Sequence, residues 1–128
     1  MFSELGVPVY DMSNLRYSLS PAEYSRFFKV LYNATYLNEE LSEYALKLLT
    51  QCNFKSGMLQ GLPSSTVVAH KFGERGIDVD FDFSESAIIY GSSGPYLLTI
   101  MTRGRDVKKQ TELVTELSRT VYKSFSSI

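Results

Sequence analysis

Groups that bind metals or form disulfides are scarce in this sequence. Its 128 residues include one cysteine, Cys52, one histidine, His70, and no tryptophan. A single cysteine excludes an intrachain disulfide and a thiolate metal cluster. It does not show whether the chain resides in an oxidising or a reducing compartment. With one thiol and one imidazole, a zinc site is not expected either. We therefore expect neither a metal nor a cofactor.

The sequence also lacks a surplus of charge and a long apolar run. It carries 13 basic and 14 acidic residues, and no basic run could follow a nucleic-acid backbone. No apolar run approaches the ~18 residues that cross a membrane. The start MFSELGVPVYD has neither the basic nor the apolar region of an export signal. We expect a soluble chain with no nucleic-acid partner and no membrane span.

One domain with an α+β architecture accounts for the hydrophobic patterning. Residues 1–19 show no sustained period, which predicts an irregular lead-in, and residues 20–128 are long enough for a single domain. Helical periodicity comes first in that domain, β-branched runs follow, and a last helix begins at Asp106. The expected order is two helices, three strands and one helix, with an antiparallel sheet flanked by helices.

Capping residues and apolar spacing define the predicted helices. Ser20 and Glu23 form a capping box at the start of SPAEYSRFFKVLYN, and Asn38 caps NEELSEYALKLLTQ. These two helices are expected to form a hairpin. The faces that we expect to be buried are Tyr24, Phe27, Phe28 and Leu31 in the first helix, Leu41, Tyr44, Ala45 and Leu48 in the second, and Val114, Leu117, Val121 and Phe125 in the last.

Three β-strands are predicted between the second and the last helix. Residues 66–72 are rich in β-branched side chains. SAIIY and PYLLTIMTR are joined across GSSG, a loop short enough to force an antiparallel hairpin. We expect a sheet containing residues near 66–72, 86–90 and 96–103, with helix 106–126 packed on one face.

Three carboxylates in the expected loop between Gly73 and Ser84 allow two interpretations. Asp78, Asp80 and Asp82 alternate with apolar residues, so they would share one face if this segment were extended. Such oxygen ligands could bind a hard cation such as Ca²⁺. The simpler interpretation is a solvated edge with one wet face.

Lys71 is the most unusual residue of the first strand. It stands in line with Val67 and Ala69, and burying an ammonium group without a partner costs free energy. We therefore expect an anionic group, or water in a cleft, to meet its side chain. His70 is interpreted as a packed or hydrogen-bonded core residue, and Cys52 as a small buried apolar group.

These segments together carry a resemblance to a known family. GLPSSTVVAHKFGERG, then SAIIYGSSGPYLLTIMTRG and a long C-terminal helix, resemble the C-terminal part of the class A β-lactamase-like serine hydrolases, relatives of the penicillin-binding transpeptidases. The two preceding helices are similar to the segment ahead of that strand, so the resemblance extends from about Leu19 onward. Its most specific part is the run from Lys71 to Gly73, which matches the family's Lys-Thr/Ser-Gly box. The resemblance implies a partial β-lactamase/transpeptidase-like fold.

The resemblance implies that residues 71–74 bind substrate. Lys71 would supply positive charge beside the nucleophile and the substrate carboxylate, and Gly73 would let the substrate approach the strand. The backbone N–H of Glu74 would stand where the family has one oxyanion-hole donor. Phe72 departs from the family, because it replaces a hydroxyl residue that hydrogen-bonds the carboxylate in lactam-hydrolysing members. An extracytoplasmic or cell-envelope location is implied as well.

The family's nucleophile is missing from this sequence. It lies in Ser-x-x-Lys on a helix, where the lysine assists deprotonation of the serine, and no lysine here has a serine three residues before it. The Ser-Asp-Asn element is also missing, and no general-base glutamate can be aligned. We therefore expect the C-terminal portion of a serine hydrolase that transfers acyl groups from a β-lactam or a cell-wall peptide, with no catalytic residue of its own and no activity alone.

Two further expectations concern the role and the partners of such a portion. The alternative to a hydrolase portion is a non-catalytic binding or interaction module derived from the same fold. Removal of an N-terminal half would uncover apolar surface, which favours association. The expected partners are therefore the missing N-terminal half or further copies of the chain in a homo-oligomer.

Overall fold

Three α-helices and a three-stranded sheet make up the described chain. A computed structural model describes residues 4–7 and 19–127. The elements are α1 (Pro21–Tyr32), α2 (Glu39–Thr50), a 3₁₀ helix (Gly57–Gly61), β1 (Val67–Ile77), β2 (Asp80–Gly91), β3 (Gly94–Gly104) and α3 (Val107–Ser126). Their order and type confirm the α+β prediction, while most of the predicted lead-in 1–19 lies outside the described residues. None of the helices described is long and apolar enough to cross a membrane.

The sheet is antiparallel and follows the order of the sequence. β2 lies between β1 and β3, so β1 and β3 are the two edges. The strands are longer than predicted, because residues 73–85 continue β1 and β2 instead of forming a loop. Only two residues separate these strands, and the first of them, Asp78, has a positive φ of 55°. Aspartate tolerates this left-handed conformation better than most residues, which suits it to a tight hairpin turn.

The three carboxylates of this hairpin do not share one face of a strand. Asp78 lies in the turn, and Asp80 is 3.7 Å from the Arg105 guanidinium. Asp82 accepts hydrogen bonds of 2.6 and 3.0 Å from Arg103, and these bonds hold the pKa of the Asp82 carboxyl below its usual range. In the part of the chain that is described, no group of three metal-ligating side chains comes together. Asp80 and Asp82 serve as partners for arginines on β3 and on the segment that follows it.

Each face of the sheet has its own apolar core. On one face, Phe28 of α1 packs with Ala69 of β1 and Ile88 of β2. On the other face lies the larger core cluster, which the 3₁₀ helix and α3 cover. Its buried members are Met58, Leu62, Val68, Phe83, Ala87, Ile89 and Val114. The sheet is therefore the middle layer between α1 and α2 on one side and α3 with the 3₁₀ helix on the other.

α2 packs on the sheet through a different face from the one predicted. Leu46 and Leu49 pack against the smaller core cluster. Leu41, Tyr44 and Leu48 share one face at helical spacing, as predicted, but they are between 50% and 60% exposed. We call these three residues the α2 stripe. The prediction that they are buried is wrong for the described chain.

α3 also approaches its neighbours through small polar side chains instead of a continuous apolar stripe. Val114 is buried as predicted, whereas Leu117 is 41% exposed. The Thr115 hydroxyl donates a hydrogen bond of 2.7 Å to the Gly57 carbonyl, and the Ser118 hydroxyl donates one of 2.9 Å to the Met58 carbonyl. These bonds hold α3 close to the 3₁₀ helix because the side chains between them are short.

Candidate functional site

The four residues predicted to bind substrate lie in the middle of β1, at an edge of the sheet. Lys71 and Glu74 are exposed, and Phe72 and Gly73 are half-buried. Gly73 pairs with Ser84, whose hydroxyl would lie 3.3 Å from a Cβ added at the glycine. The structure therefore keeps the four residues together on one strand, and their role in substrate binding stays a prediction.

The surroundings of Lys71 differ from the expectation. Its ammonium group lies in solvent, and no ion pair to it occurs within the described residues. Nζ donates a hydrogen bond to the Phe72 carbonyl and lies 4.9 Å from the centroid of the Phe72 ring. Because Ala69 is buried while Val67 is 54% exposed, this face of β1 is not evenly covered. The positive charge of Lys71 remains accessible from solvent.

The ring of Phe72 anchors β1 to the core behind the candidate site. It stacks on Phe54 with ring centroids 4.1 Å apart and lies 6.4 Å from the ring of Phe83. Aromatic contacts of this kind add to the stabilisation from buried area. The ring therefore points toward the larger core cluster, where a hydroxyl side chain would find less apolar contact.

Tyr24 connects α1 to the candidate site. Its hydroxyl donates a hydrogen bond of 3.2 Å to the Lys71 carbonyl. Burial, with a smaller contribution from the negative charge of Glu85, raises the pKa of Tyr24 to about 12. Because α1 lies over the sheet, this bond fixes the backbone of β1 at the lysine.

We expect Tyr24→Phe to reduce the loss of stability at high pH. The phenol of Tyr24 has a higher pKa in the folded chain than its ordinary value of 10.0. Its contribution is therefore fully present below pH ~10 and is lost as the pH rises toward 12. Urea unfolding between pH 8 and pH 12 measures this effect, and Tyr44→Phe at an exposed position is the control. Equal pH profiles for Tyr24→Phe and Tyr44→Phe would contradict the expectation.

A cavity of about 560 Å³ adjoins the second half of the candidate strand. Its wall includes Tyr24, Gly73 and Glu74, and also Asp82 and Arg103. Lys71 and Phe72 do not line it. The cavity therefore groups two of the four predicted residues with the tyrosine that holds the strand.

His70 and Glu85 form a buried polar pair on the face of the sheet that the 3₁₀ helix covers. His70 is 1% exposed and Glu85 is fully buried. The His70 Nδ1 atom lies 3.0 Å from Oε1 of Glu85, and Oε2 accepts a hydrogen bond of 2.9 Å from the Met58 N–H. The prediction that His70 is a hydrogen-bonded core residue is confirmed. Its partner was missed, although Glu85, a lone glutamate just before the apolar residues of β2, could have indicated it.

Comparisons with known proteins identify this arrangement of elements. The family model described as "Beta-lactamase enzyme family" matches residues 6–125. A solved structure described as "Structure of PBP-A" matches with a TM-score of 0.79 and 19% identity, over 99% of this chain and 49% of that chain. The search of curated proteins gave no match.

Two solved β-lactamases are similar as well. A class A β-lactamase from Bacteroides cellulosilyticus DSM 14838 matches with a TM-score of 0.74 and 15% identity, over 85% of this chain and 42% of that chain. A β-lactamase from Streptosporangium roseum matches with a TM-score of 0.68 and 14% identity, over 94% and 46%. The chain thus spans about half the length of the structures it matches, and these matches confirm the predicted fold.

Proposed function

Because this chain belongs to the β-lactamase enzyme family, we propose that it is the C-terminal portion of a serine hydrolase, contributing the substrate-binding strand while another portion contributes the nucleophile. One combination supports the proposal: the chain spans 49% of a matched structure, and its sequence has Lys71-Phe72-Gly73 but no Ser-x-x-Lys. The reaction would be acyl transfer, in which a serine oxygen attacks the carbonyl carbon of a β-lactam or a cell-wall peptide, the C–N bond breaks and the hydroxyl proton passes to the nitrogen.

Each residue of the strand has a specific part in this proposal. The exposed ammonium of Lys71 attracts the substrate carboxylate and lowers the energy of negative charge near the serine. Gly73 lets the substrate lie against the strand, and the Glu74 N–H donates to the oxyanion. Phe72 supports the strand from the core, since its ring is stacked on Phe54. No residue of this chain acts as nucleophile.

The α2 stripe supports an interface with the rest of the hydrolase. Leu41, Tyr44 and Leu48 have helical apolar spacing, and each is at least 50% exposed among the residues that the structure describes. A stripe of this kind is usual on a helix that is covered by another element. We assign the missing N-terminal half as its partner, in the cell envelope. Self-association into a homo-oligomer through the same stripe is the outcome expected when that half is withheld.

The decisive experiment joins the chain to the coding sequence found upstream of it in its genome. The isolated chain should form no covalent adduct with a fluorescent penicillin, whereas the joined protein should label stoichiometrically on a serine of an upstream Ser-x-x-Lys. Lys71→Met should reduce labelling of the joined protein at least tenfold, and Lys47→Met is the matched control. Labelling of the isolated chain on one of its own serines would overturn the proposal.

The edge position of β1 supports the alternative of a binding module. An edge strand with free backbone groups can bind an extended peptide without any catalysis, and within residues 4–7 and 19–127 β1 has a strand partner on one side only. An upstream sequence without Ser-x-x-Lys, together with saturable binding of a cell-wall peptide to the isolated chain, would favour this alternative over the hydrolase portion.

A further inference from the structure

The cavity beside Gly73 lies over one face of the sheet, next to the candidate substrate strand. α1 covers the adjoining part of this face, where Phe28 packs on Ala69 and Ile88. Alternate residues of a strand point to the same face, so the register of the three strands places three rows of side chains here. The rows are Lys71, Ser86 and Thr99, then Gly73, Ser84 and Met101, then Arg75, Asp82 and Arg103.

Positive charge exceeds negative charge on this face. Three of the nine side chains in the rows are cationic, and one, that of Asp82, is anionic. Glu74 belongs to the cavity wall, but it stands at an alternate position of β1, from which side chains leave the opposite face. Glu85 also stands at an alternate position and is buried against the 3₁₀ helix. An anionic ligand on this face would therefore meet a net attraction.

Asp82 holds two arginines together at the far end of the cavity. Its carboxylate accepts hydrogen bonds of 2.6 and 3.0 Å from Nε and Nη2 of Arg103, and one of 3.5 Å from Nη2 of Arg75. Within the described residues no hydrogen bond engages Nη1 of Arg103, whose side chain is 61% exposed. Because a guanidinium has five N–H donors, Arg103 can bind a second anion through Nη1 without leaving Asp82.

The floor between Lys71 and the arginines is open and carries an accessible hydroxyl. Gly73 pairs with Ser84, and a Cβ added at the glycine would lie 3.3 Å from Ser84 Oγ. The hydroxyls of Ser86 and Thr99 in the neighbouring row bond each other at 2.7 Å, whereas Ser84 Oγ has no hydrogen-bond partner in the part of the chain that is described. A ligand that crosses Gly73 would therefore find a donor in Ser84.

The spacing of the cations suits a ligand with two anionic groups. Lys71 and Arg75 are four residues apart on one strand, which corresponds to ~13 Å at ~3.3 Å per residue. Arg103 lies in the same row as Arg75. The bicyclic nucleus of a penicillin carries a single carboxylate and is much shorter than this distance. An extended peptide of about four residues is long enough to place one carboxylate at each end of the cavity.

We propose that the substrate of this strand is an acidic peptide with two carboxylates about four residues apart, the terminal one bound by Lys71 and the second by Arg103. This inference rests on the proposed function, in which Lys71 attracts the substrate carboxylate, and it selects the peptide from the two acyl donors considered there. Ser84 donates a hydrogen bond to the peptide where it crosses Gly73. Arg103 is the residue that distinguishes an acidic peptide from a neutral one.

Amide nuclear magnetic resonance of the isolated chain tests this subsite without any acylation. Acetyl-Glu-Ala-Ala-Ala with a free terminal carboxylate should shift the ¹H–¹⁵N signals of Gly73 and Ser84 saturably, in the millimolar range usual for a short flexible ligand. Acetyl-Gln-Ala-Ala-Ala should bind about tenfold more weakly, because a guanidinium forms stronger hydrogen bonds with a charged acceptor than with a neutral one.

Two arginine variants decide whether the subsite lies at Arg103. In Arg103→Met the two peptides should bind equally, whereas Arg105→Met, at an 80% exposed position outside the cavity wall, should keep the tenfold difference. Both side chains are exposed, so both variants should fold, which circular dichroism verifies. No saturable shift with the glutamate peptide, equal affinities of the two peptides for the unchanged chain, or a difference that survives Arg103→Met would each overturn the proposal.

These outcomes differ from a failure of the hydrolase proposal. That failure would appear as missing penicillin labelling of the joined protein, which is a measurement on a longer protein with a different ligand. A joined protein that labels while Arg103→Met leaves peptide preference unchanged would retain the hydrolase portion and remove the subsite.

Discussion

Replacing Glu85 with alanine should cost the chain about 3–5 kcal/mol of its free energy of unfolding, because it removes the hydrogen-bond partner of two buried groups and opens a cavity. Glu85 is fully buried and serves two donors, the His70 ring at 3.0 Å and the Met58 N–H at 2.9 Å. Alanine would leave both groups buried without an acceptor and would leave a cavity in their place. Such a loss is a large part of the ~5–15 kcal/mol typical of a folded domain.

Urea unfolding followed by circular dichroism measures this loss. Asp82→Ala is the matched control, because Asp82 pairs with Arg103 on the surface, where such pairs contribute only ~0–1 kcal/mol. Glu85→Gln should fall between the two, since it keeps the size of the side chain and one acceptor oxygen. A cost for Glu85→Ala no greater than that for Asp82→Ala would show that the buried pair does not stabilise the fold.

The elements with strong local signals were predictable from the sequence. Ser20 and Glu23 form the expected capping box, and Asn38 accepts a hydrogen bond from the Leu41 N–H. These contacts lie within three residues of sequence, so local chemistry decides them. The apolar runs of the three strands were equally clear, because β-branched residues fill both faces of the middle of the sheet.

The length of the β1–β2 hairpin could not be predicted from local preference. Glycine and aspartate, which disfavour strands, interrupt residues 73–85. Ion pairs between the strands offset this weak strand propensity. Asp82 accepts a hydrogen bond from Arg103 on β3 and lies 3.5 Å from Arg75 on β1. Cross-strand ion pairs depend on register, and register emerges only when the whole sheet is assembled.

The exposed α2 stripe shows why apolar periodicity alone did not identify the packed face. Helical spacing indicates which residues share a face of the helix, but it does not show which other part of the protein packs on that face. In α2 the stripe is at least half exposed, while Leu46 and Leu49 pack against the smaller core cluster on the sheet. The N-terminal half proposed above accounts for this difference, because it would cover the α2 stripe.

The candidate site was predictable only in part. The resemblance indicated residues 71–74, and the structure keeps them together on an edge strand. The contacts that hold the strand were not visible in the sequence, because Tyr24 donates to the Lys71 carbonyl across 47 positions and His70 meets Glu85 across 15. Such contacts depend on how α1 and β2 are placed, so they follow from the fold and not from local pattern.

Replacing Gly61 with alanine should separate α3 from the 3₁₀ helix and cost about 2–3 kcal/mol, within the range for overpacked positions. A Cβ added at Gly61 would overlap the backbone oxygen of Thr115 and lie 3.0 Å from the Arg119 nitrogen. Backbone atoms of a helix cannot move aside singly, so α3 must shift. That shift would strain the hydrogen bonds that Thr115 and Ser118 donate to the 3₁₀ helix.

Gly76→Ala provides the matched control for this effect. A Cβ at Gly76 would make only an ordinary contact of 3.5 Å with the Phe81 ring, so its expected cost is near zero. Urea unfolding gives the cost of each change, and the near-ultraviolet circular dichroism of the aromatic side chains, which include Tyr122 on α3, reports whether their packing has changed. Because Gly61 is buried, a neutral Gly61→Ala would mean that α3 lies farther from the 3₁₀ helix than these contacts require.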